Sequence, residues 1–252
     1  MNKLFKFGCA ALMAATMVGC GAEKEEKTIM IGVSPDYYPY EALTKDNKMY
    51  GFDIDMVDWF EDYLSDEEGV DYKLEFKQMD FDNIIVQLQG DQIDLGISGF
   101  SYDEKRKVEW SDPYLGSSQV AVVPEGSEIK SMKDLDGKKI AAQTGSTGEA
   151  AAKEKVKDAK VVGMKKVPDI MSGLQANQFD AAVIDLGVAH NYVDKGNVKL
   201  LDGVLSDEKN YIIAKDGNKE SIEKVNKCIK AFVKSDEYKD LCKKYGLTPL
   251  TE

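Results

Sequence analysis

The segment Asn83–Ile97, "NIIVQLQGDQIDLGI", is echoed without a gap by Asp169–Val183, "DIMSGLQANQFDAAV". Ile84 aligns with Ile170, Leu88 with Leu174, Gln89 with Gln175, Gln92 with Gln178 and Asp94 with Asp180. In each copy apolar residues recur at helical spacing, a polar turn follows, and a short apolar run of buried-strand character closes the unit. Two copies are too few for a solenoid. They read instead as the same helix-turn-strand unit in each of two similar α/β lobes.

Outward from this pair, strand and helix patterns alternate. "TIMIGV" (Thr28–Val33) predicts a strand bounded by the turn "SPDYYPY". In "GFDIDMVDWFEDYL", Ile54, Val57, Phe60 and Leu64 recur at helical spacing, with Asp53 placed to cap the helix start. "YKLEFK" alternates as a strand, and "DFDNIIVQLQG" reads as a helix closed by Gly90. Between the echoed units, "GSSQVAVVPEG" supplies a crossing segment, followed by the strand "KIAAQ", a glycine-containing turn and a helix. After the second unit, "NYVDKGNVKLLDGVLSDEKNYIIAKDG" can return the chain to the first lobe, and helices over Lys219–Lys234 and Asp236–Tyr245 finish it. The expected architecture is therefore two-lobed and hinged, each lobe a mostly parallel sheet flanked by helices. Lobe 1 takes residues 28–121 and 208–252, and lobe 2 takes residues 122–207. Parallel sheets bind ligands beyond the carboxyl ends of their strands. That rule singles out Ser98–Ser101 in the first lobe and Asp185 in the second.

The chain has 252 residues, 45 acidic against 33 basic, for a formal charge of −12. Such an excess of acid excludes nucleic acid as a natural partner. Residues 1–19, with Lys3 and Lys6 ahead of the apolar run "FGCAALMAATMVGC", have signal-peptide form and are too short and poorly flanked for a spanning helix. Residues 20–27, "CGAEKEEK", are short, charged and without apolar periodicity, as a solvated tether would be. Two cysteines lie in the last segment, Cys228 and Cys242. Neighbouring helices could bridge them in an oxidising compartment, and two buried thiols fit equally.

Among 33 basic side chains Arg106 is the single arginine. A guanidinium presents a planar fork that holds a carboxylate through two parallel bonds, which lysine cannot copy. It follows "SGFSYDEK", where Ser98 and Ser101 offer hydroxyls and Gly99 permits close backbone approach. Ser101 and Glu104 have capping-box spacing, which predicts a short helical turn whose free N–H groups would favour an anion beside Arg106. Surface pairing of Arg106 with Glu109 or Asp112 is the alternative. In lobe 2, "QTGSTGEA" joins a strand to a helix: Gly145 allows the turn, and Ser146 and Thr147 combine hydroxyls with N–H groups at a helix start. The Gly-Lys-Ser/Thr ending of a phosphate-binding P-loop is absent. Asp185 at its strand end suits an ammonium group, or else caps the helix "LGVAHNYV". Tyr37 and Phe81 sit at element ends, where they could sandwich a ligand side chain, although aromatics more often serve a core. An anion cradle and a cation partner across one cleft describe the two ends of a free α-amino acid.

"GVSPDYYPYE", "GFDIDM", "DLGISGFSYDEKR", "WSDPY" and "QTGSTGE", in this order and spacing, resemble the polar amino-acid-binding lipoproteins of ABC importers, with a type 2 periplasmic-binding fold (solute-binding protein family 3), similar to the histidine- and glutamine-binding receptors. "MVGCG" resembles a lipobox, which makes Cys20 the lipidated first residue of a membrane-anchored chain, with Met17 departing from the usual leucine. The resemblance implies that Arg106 holds the ligand carboxylate, assisted by Ser101, and that the Gly99 carbonyl receives the ammonium. It maps the family's threonine turn to Ser146 and Thr147, its ammonium-binding aspartate to Asp185, and its side-chain walls to Tyr37 and Phe81. Ser34 stands where some relatives carry an acid, and Gln143 replaces an apolar residue of some, so side-chain specificity does not transfer. Asp36 reads as a solvated turn residue, with a cationic ligand group as the alternative.

The implied partners are a free amino acid and the permease subunits of an ABC transporter, with a monomeric receptor. No cofactor or metal is implied. A catalyst would need an acid or base poised in the cleft. The only histidine, His190, reads as a surface residue of a helix, and Asp185 as ionised and paired, so the expectation is a binding protein. A sensor or adhesin without transport, or less readily a dehydratase of the same fold, is the competing assignment.

Overall fold

A computed structural model describes residues 25–196 and 198–250. The expected leader and the acceptor Cys20 lie outside the described residues, as does most of the tether.

The first lobe opens with β1 (Glu26–Val33), two residues earlier than expected because Glu26 and Lys27 pair with Asp71 and Tyr72 of a neighbouring strand. Three short strands, β2 (Asp36–Tyr37), β3 (Glu41–Leu43) and β4 (Met49–Tyr50), form a small antiparallel sheet. Helix α1 (Phe52–Glu68), strand β5 (Asp71–Gln78), helix α2 (Phe81–Gln89), and strands β6 (Leu95–Ser101) and β7 (Val108–Trp110) follow. Strand β8 (Leu115–Pro124) crosses into the second lobe, built from β9 (Lys139–Gln143), α3 (Thr147–Lys155), β10 (Lys160–Met164), α4 (Val167–Gln175), β11 (Ala181–Asp185), α5 (Leu186–Val193) and β12 (Val198–Leu200). Strand β13 (Ser206–Lys215) returns, and α6 (Lys219–Phe232) and α7 (Asp236–Tyr245) pack on the first lobe.

The main path of the sheet runs β5-β1-β6-β13-β8-β11-β9-β10. Its two ends, β5-β1-β6 and β11-β9-β10, are parallel triplets, as crossover helices require. The middle is antiparallel. Leu115–Gln119 of β8 pair with Ser206–Asn210 of β13, while Gln119–Val122 of β8 pair with β11 and Asn210–Ala214 of β13 pair with β6. Each crossing strand thus belongs to one lobe by one half and to the other crossing strand by its other half. Among the described residues, two extended segments side by side are the only sheet connection between the lobes, which is the construction of a hinge.

The echoed units occupy equivalent places, α2-β6 and α4-β11. Asp94 accepts from Met30 N–H (2.7 Å) while its own N–H donates to Met30 O (2.8 Å). Asp180 does the same with Lys139 N–H and O, both at 2.8 Å. The repeated aspartate therefore fastens each unit to the strand beside it. Asp91 and Asn177 take matching left-handed turns at φ 53° and 55°, a conformation these two residue types tolerate. Buried Phe81, Ile84 and Leu88 of α2 meet Phe100 and Ile213 on one face of the first lobe, while α1 and α6 cover the other.

The start of α1 departs from expectation. Gly51, not Asp53, is the cap: a Cβ there would stand 2.1 Å from Tyr40 O, and its φ of 141° is one L side chains rarely adopt. Asp53 lies inside the first turn and is fully buried. Nor does Ser101 open a helix. It ends β6, and residues 103–106 form only a turn in which Arg106 N–H donates to Asp103 O and Lys105 N–H to the Asp103 carboxylate. Cys228 and Cys242 are buried free thiols.

Candidate functional site

Where β6 ends, its last residues bring Ser98, Gly99 and Ser101 to the cleft, and the following turn adds Arg106. Tyr37 comes from β2 and Phe81 opens α2. From across the cleft come Gln143 at the end of β9, Ser146, whose hydroxyl caps α3 by accepting from Glu149 N–H (3.1 Å), and Thr147, the first residue of that helix. These nine residues, with Gln119 of β8, line one narrow hollow between the lobes. The N–H groups opening α3 have no intrahelical acceptor. The lining is polar on one side and aromatic on the other, the mixture of groups that small-molecule sites use.

Arg106 is half-buried, and neither Glu109 nor Asp112 holds it. Glu109 accepts from Gly217 N–H, and Asp112 pairs with Lys230. Its fork donates to Ser101 O (3.1 Å) in its own lobe and to Gly145 O (2.8 Å) in the other, with the rings of Phe81 and Phe100 at 5.7 and 5.4 Å. Burial pulls the guanidinium pKa down, opposed only by the more distant charges of Asp103 and Glu208. Among the described residues no carboxylate is bonded to this cation, which leaves a charge in low-dielectric surroundings poised to accept an anion.

Asp185 does not line the cavity. The geometry is that of its alternative role as a helix cap. Oδ1 accepts from Gly187 N–H and Tyr40 O–H, both at 2.8 Å, and Oδ2 accepts from the Ser117 hydroxyl. Burial raises its pKa against the pull of these three donors. It faces a separate hollow beside the hinge, lined also by Gly187, the exposed His190, and Leu247–Leu250. Tyr37 remains near it: burial, then the Asp185 charge, push the Tyr37 phenol pKa well up.

Two site residues were not anticipated. Gln119 lies in the crossing strand, where a buried amide inside "GSSQVAVV" was the available signal. Glu208, on the opposing strand, accepts from Thr147 Oγ1 (2.8 Å), Gln119 Nε2 (3.1 Å) and Ser206 Oγ (2.7 Å). It thus ties the hinge to the start of α3. Asp36 is neither solvated nor aimed at the cavity. Ser34 Oγ donates to its Oδ1 (2.7 Å), and Val167 N–H, at the start of α4, donates to its Oδ2 (2.9 Å) across the cleft. A larger apolar hollow lies within the first lobe among Ile31, Phe60, Val225 and Cys228; its charged residues Lys27, Asp94 and Glu220 are exposed, and the half-buried Lys224 is already engaged by Glu68 and Tyr72. The convergent chemistry is in the cleft.

Two lobes joined by a pair of crossing strands, closing polar and aromatic groups over a small cavity, define a solute-binding receptor of the type II periplasmic-binding fold. The chain belongs to the bacterial extracellular solute-binding proteins, family 3, whose pattern matches residues 29–248. It is 32% identical over 243 residues to the arginine-binding extracellular protein ArtP of Bacillus subtilis (strain 168), covering 93% of this chain and 92% of that one. A substrate-binding protein of an amino acid ABC transporter superposes with a TM-score of 0.79 at 35% identity, over 87% of this chain and 99% of that one. The ancestral amino acid-binding protein AncCDT-1, a precursor of cyclohexadienyl dehydratase, gives 0.78 at 32% identity, over 86% and 95%. Among the described residues no helix is long and apolar enough to cross a membrane, and no cluster of histidine, cysteine or acidic residues is placed to hold a metal ion.

Proposed function

We propose that this chain captures a free polar L-amino acid in the cleft and presents it to the permease of an ABC importer, as a monomer held at the membrane by a lipid on Cys20. The lobes divide at residues 28–121 with 208–252 and at 122–207, and they turn on the paired segments Leu115–Gln119 and Ser206–Asn210. The observation that carries this reading is the half-buried Arg106, bonded to no carboxylate among the described residues and reaching both lobes. An amino acid's carboxylate would take the fork, with the Ser101 hydroxyl and the N–H groups of Ser146 and Thr147 as further donors. Its ammonium would meet the Gly99 carbonyl, and Tyr37 and Phe81 would flank its side chain. Asp185 joins only by exchanging a bond from Tyr40 or Ser117 for the ammonium. Gln119 and Gln143 add amide groups suited to a polar side chain, in keeping with the arginine-binding relative.

Binding rather than catalysis is favoured by the lining itself. Of its ten residues, Arg106 alone is charged at neutral pH, and none is a carboxylate or histidine able to shuttle a proton. The test is calorimetric titration with L-arginine, L-histidine, L-glutamine and L-cystine. One should bind with a stoichiometry of about one and be recovered unchanged, and Arg106→Lys should lose about tenfold or more of that affinity. Unaltered affinity in the variant removes the role given to the guanidinium.

A further inference from the structure

Behind the Ser98–Gly99 peptide lie two carboxyl groups with no solvent exposure, Glu41 at the start of β3 and Asp53 in the first turn of α1. Glu41 Oε1 accepts from the Ser98 hydroxyl. Asp53 Oδ2 accepts from the Tyr114 hydroxyl (3.1 Å), and the Gly99 N–H lies near its carboxylate and favours its charge. Glu41 Oε2 and Asp53 Oδ1 are buried and, among the described residues, receive no N–H or O–H that the chain supplies. Yet the two carboxyls lie close enough to shift each other's titration. Two ionised carboxylates are both acceptors, so a bond between them requires a proton that one of them carries.

We propose that Glu41 and Asp53 hold one proton between them, and that through it they act as positioning residues, fixing the Ser98–Gly99 peptide for the ligand's ammonium group. The positioning role rests on the cleft being the amino-acid site. With the proton on Glu41, its O–H donates to Asp53 and its other oxygen accepts from Ser98. Asp53 stays negative beside Gly99 N–H. The titratable groups facing the pair are Asp36 and Tyr37 from β2, Tyr114 from the segment before β8, and Asp185 at the end of β11. None is a cation, and Lys244 of α7 is engaged by Asp55. Burial, reinforced by the charge of Asp53, lifts Glu41 well above the usual carboxylate range, and burial lifts Asp53 less far against the pull of its donors. Loss of the proton would place two negative charges together and unsettle the Ser98–Gly99 peptide.

The sign of the linkage follows. The unfolded chain releases the Glu41 proton near its ordinary value of 4.5, whereas burial and the neighbouring Asp53 hold it to higher pH in the folded pair. This contribution to stability therefore falls as pH rises from that value through the raised folded one. Glu41→Gln mimics the protonated state, its amide N–H donating to Asp53 and its amide oxygen accepting from Ser98. The experiment is ligand-free unfolding calorimetry at pH 7 in buffers of differing ionisation heat. Wild type should take up about one proton more on folding than Glu41→Gln. Equal uptake overturns the shared proton. Should the variant not fold, isotope-edited infrared spectra of wild type carrying labelled glutamate decide the same point: a protonated carboxylic acid band at pH 7 supports the pair, and carboxylate bands alone overturn it. A second arm measures the affinity of both proteins for L-arginine, L-glutamine and L-histidine against pH. Wild type should weaken by about tenfold per pH unit once the pair titrates, beyond any decline in Glu41→Gln. Parallel profiles overturn the positioning role. Failure of every amino acid to bind would instead sink the functional reading, with the proton count still deciding the pair.

Discussion

Replacing Asp36 by alanine should shift the receptor toward its open form. Helix α4 begins at Val167 behind Lys166, whose side chain makes no cap. Its first N–H is satisfied from the other lobe, by Asp36 at 2.9 Å. The bond from Ser34 to Asp36 lies within the first lobe, survives opening, and cancels from the difference. What closure gains is one N-cap interaction, about 1 kcal/mol and at most about 2, with a further few tenths from a carboxylate at a helix N-terminus. Burial of the carboxylate opposes this, as its raised pKa shows, so the lower figure applies. About 1 kcal/mol is about fivefold in the ratio of closed to open molecules. If the closed form is the competent one, the apparent affinity for the amino acid weakens by that factor at most. Asp36→Asn, which keeps a capping oxygen, should retain most of it. Small-angle scattering of the ligand-free variants and calorimetric affinities check both statements. Alanine with unchanged scattering and unchanged affinity would refute the idea that this contact contributes to closure.

Other consequences are open to test in the same preparations. Asp185→Asn should weaken amino-acid binding by about 1.5–3 kcal/mol if the carboxylate turns to the ammonium; unchanged affinity would leave it only the cap of α5. Gly99→Ala places a methyl 3.1 Å from the Tyr37 ring on a backbone at φ 55°, so the variant should lose about 1 kcal/mol or more of stability along with affinity. A fully stable variant that still binds contradicts that geometry. Burial lifts the thiol of Cys228 to about 12 and that of Cys242 to about 11. Peptide mapping after alkylation at pH 8 should find both unlabelled in the native protein and labelled once unfolded. Rapid native labelling would place them at the surface.

The internal echo made the two lobes legible in the sequence because its aspartates perform a local task, clasping the adjacent strand, that each lobe needs once. Strand-end residues were legible for a related reason: parallel sheets present their carboxyl ends to the cleft, so position along the chain translates into place in the fold. Asp185 was not, since its orientation depends on hydroxyls 145 and 68 residues away, on Tyr40 and Ser117. Asp36 escaped for the same cause, its partner lying 131 residues on in the other lobe. Glu208 and Gln119 stand in the crossing strands, where a polar residue reads equally as solvated edge or cleft lining until the pairing is known. Gly51 displaced Asp53 as the cap of α1 through contact with Tyr40 O, a steric fact absent from any pattern of residue types.

The most direct measurement is a calorimetric titration of free L-amino acids into the protein lacking residues 1–19, run beside Arg106→Lys. Saturable binding of a polar amino acid, severely weakened when the guanidinium becomes an ammonium, is the expected result. Absence of heat with every amino acid, or equal affinity in the two proteins, would contradict the assignment of this cleft.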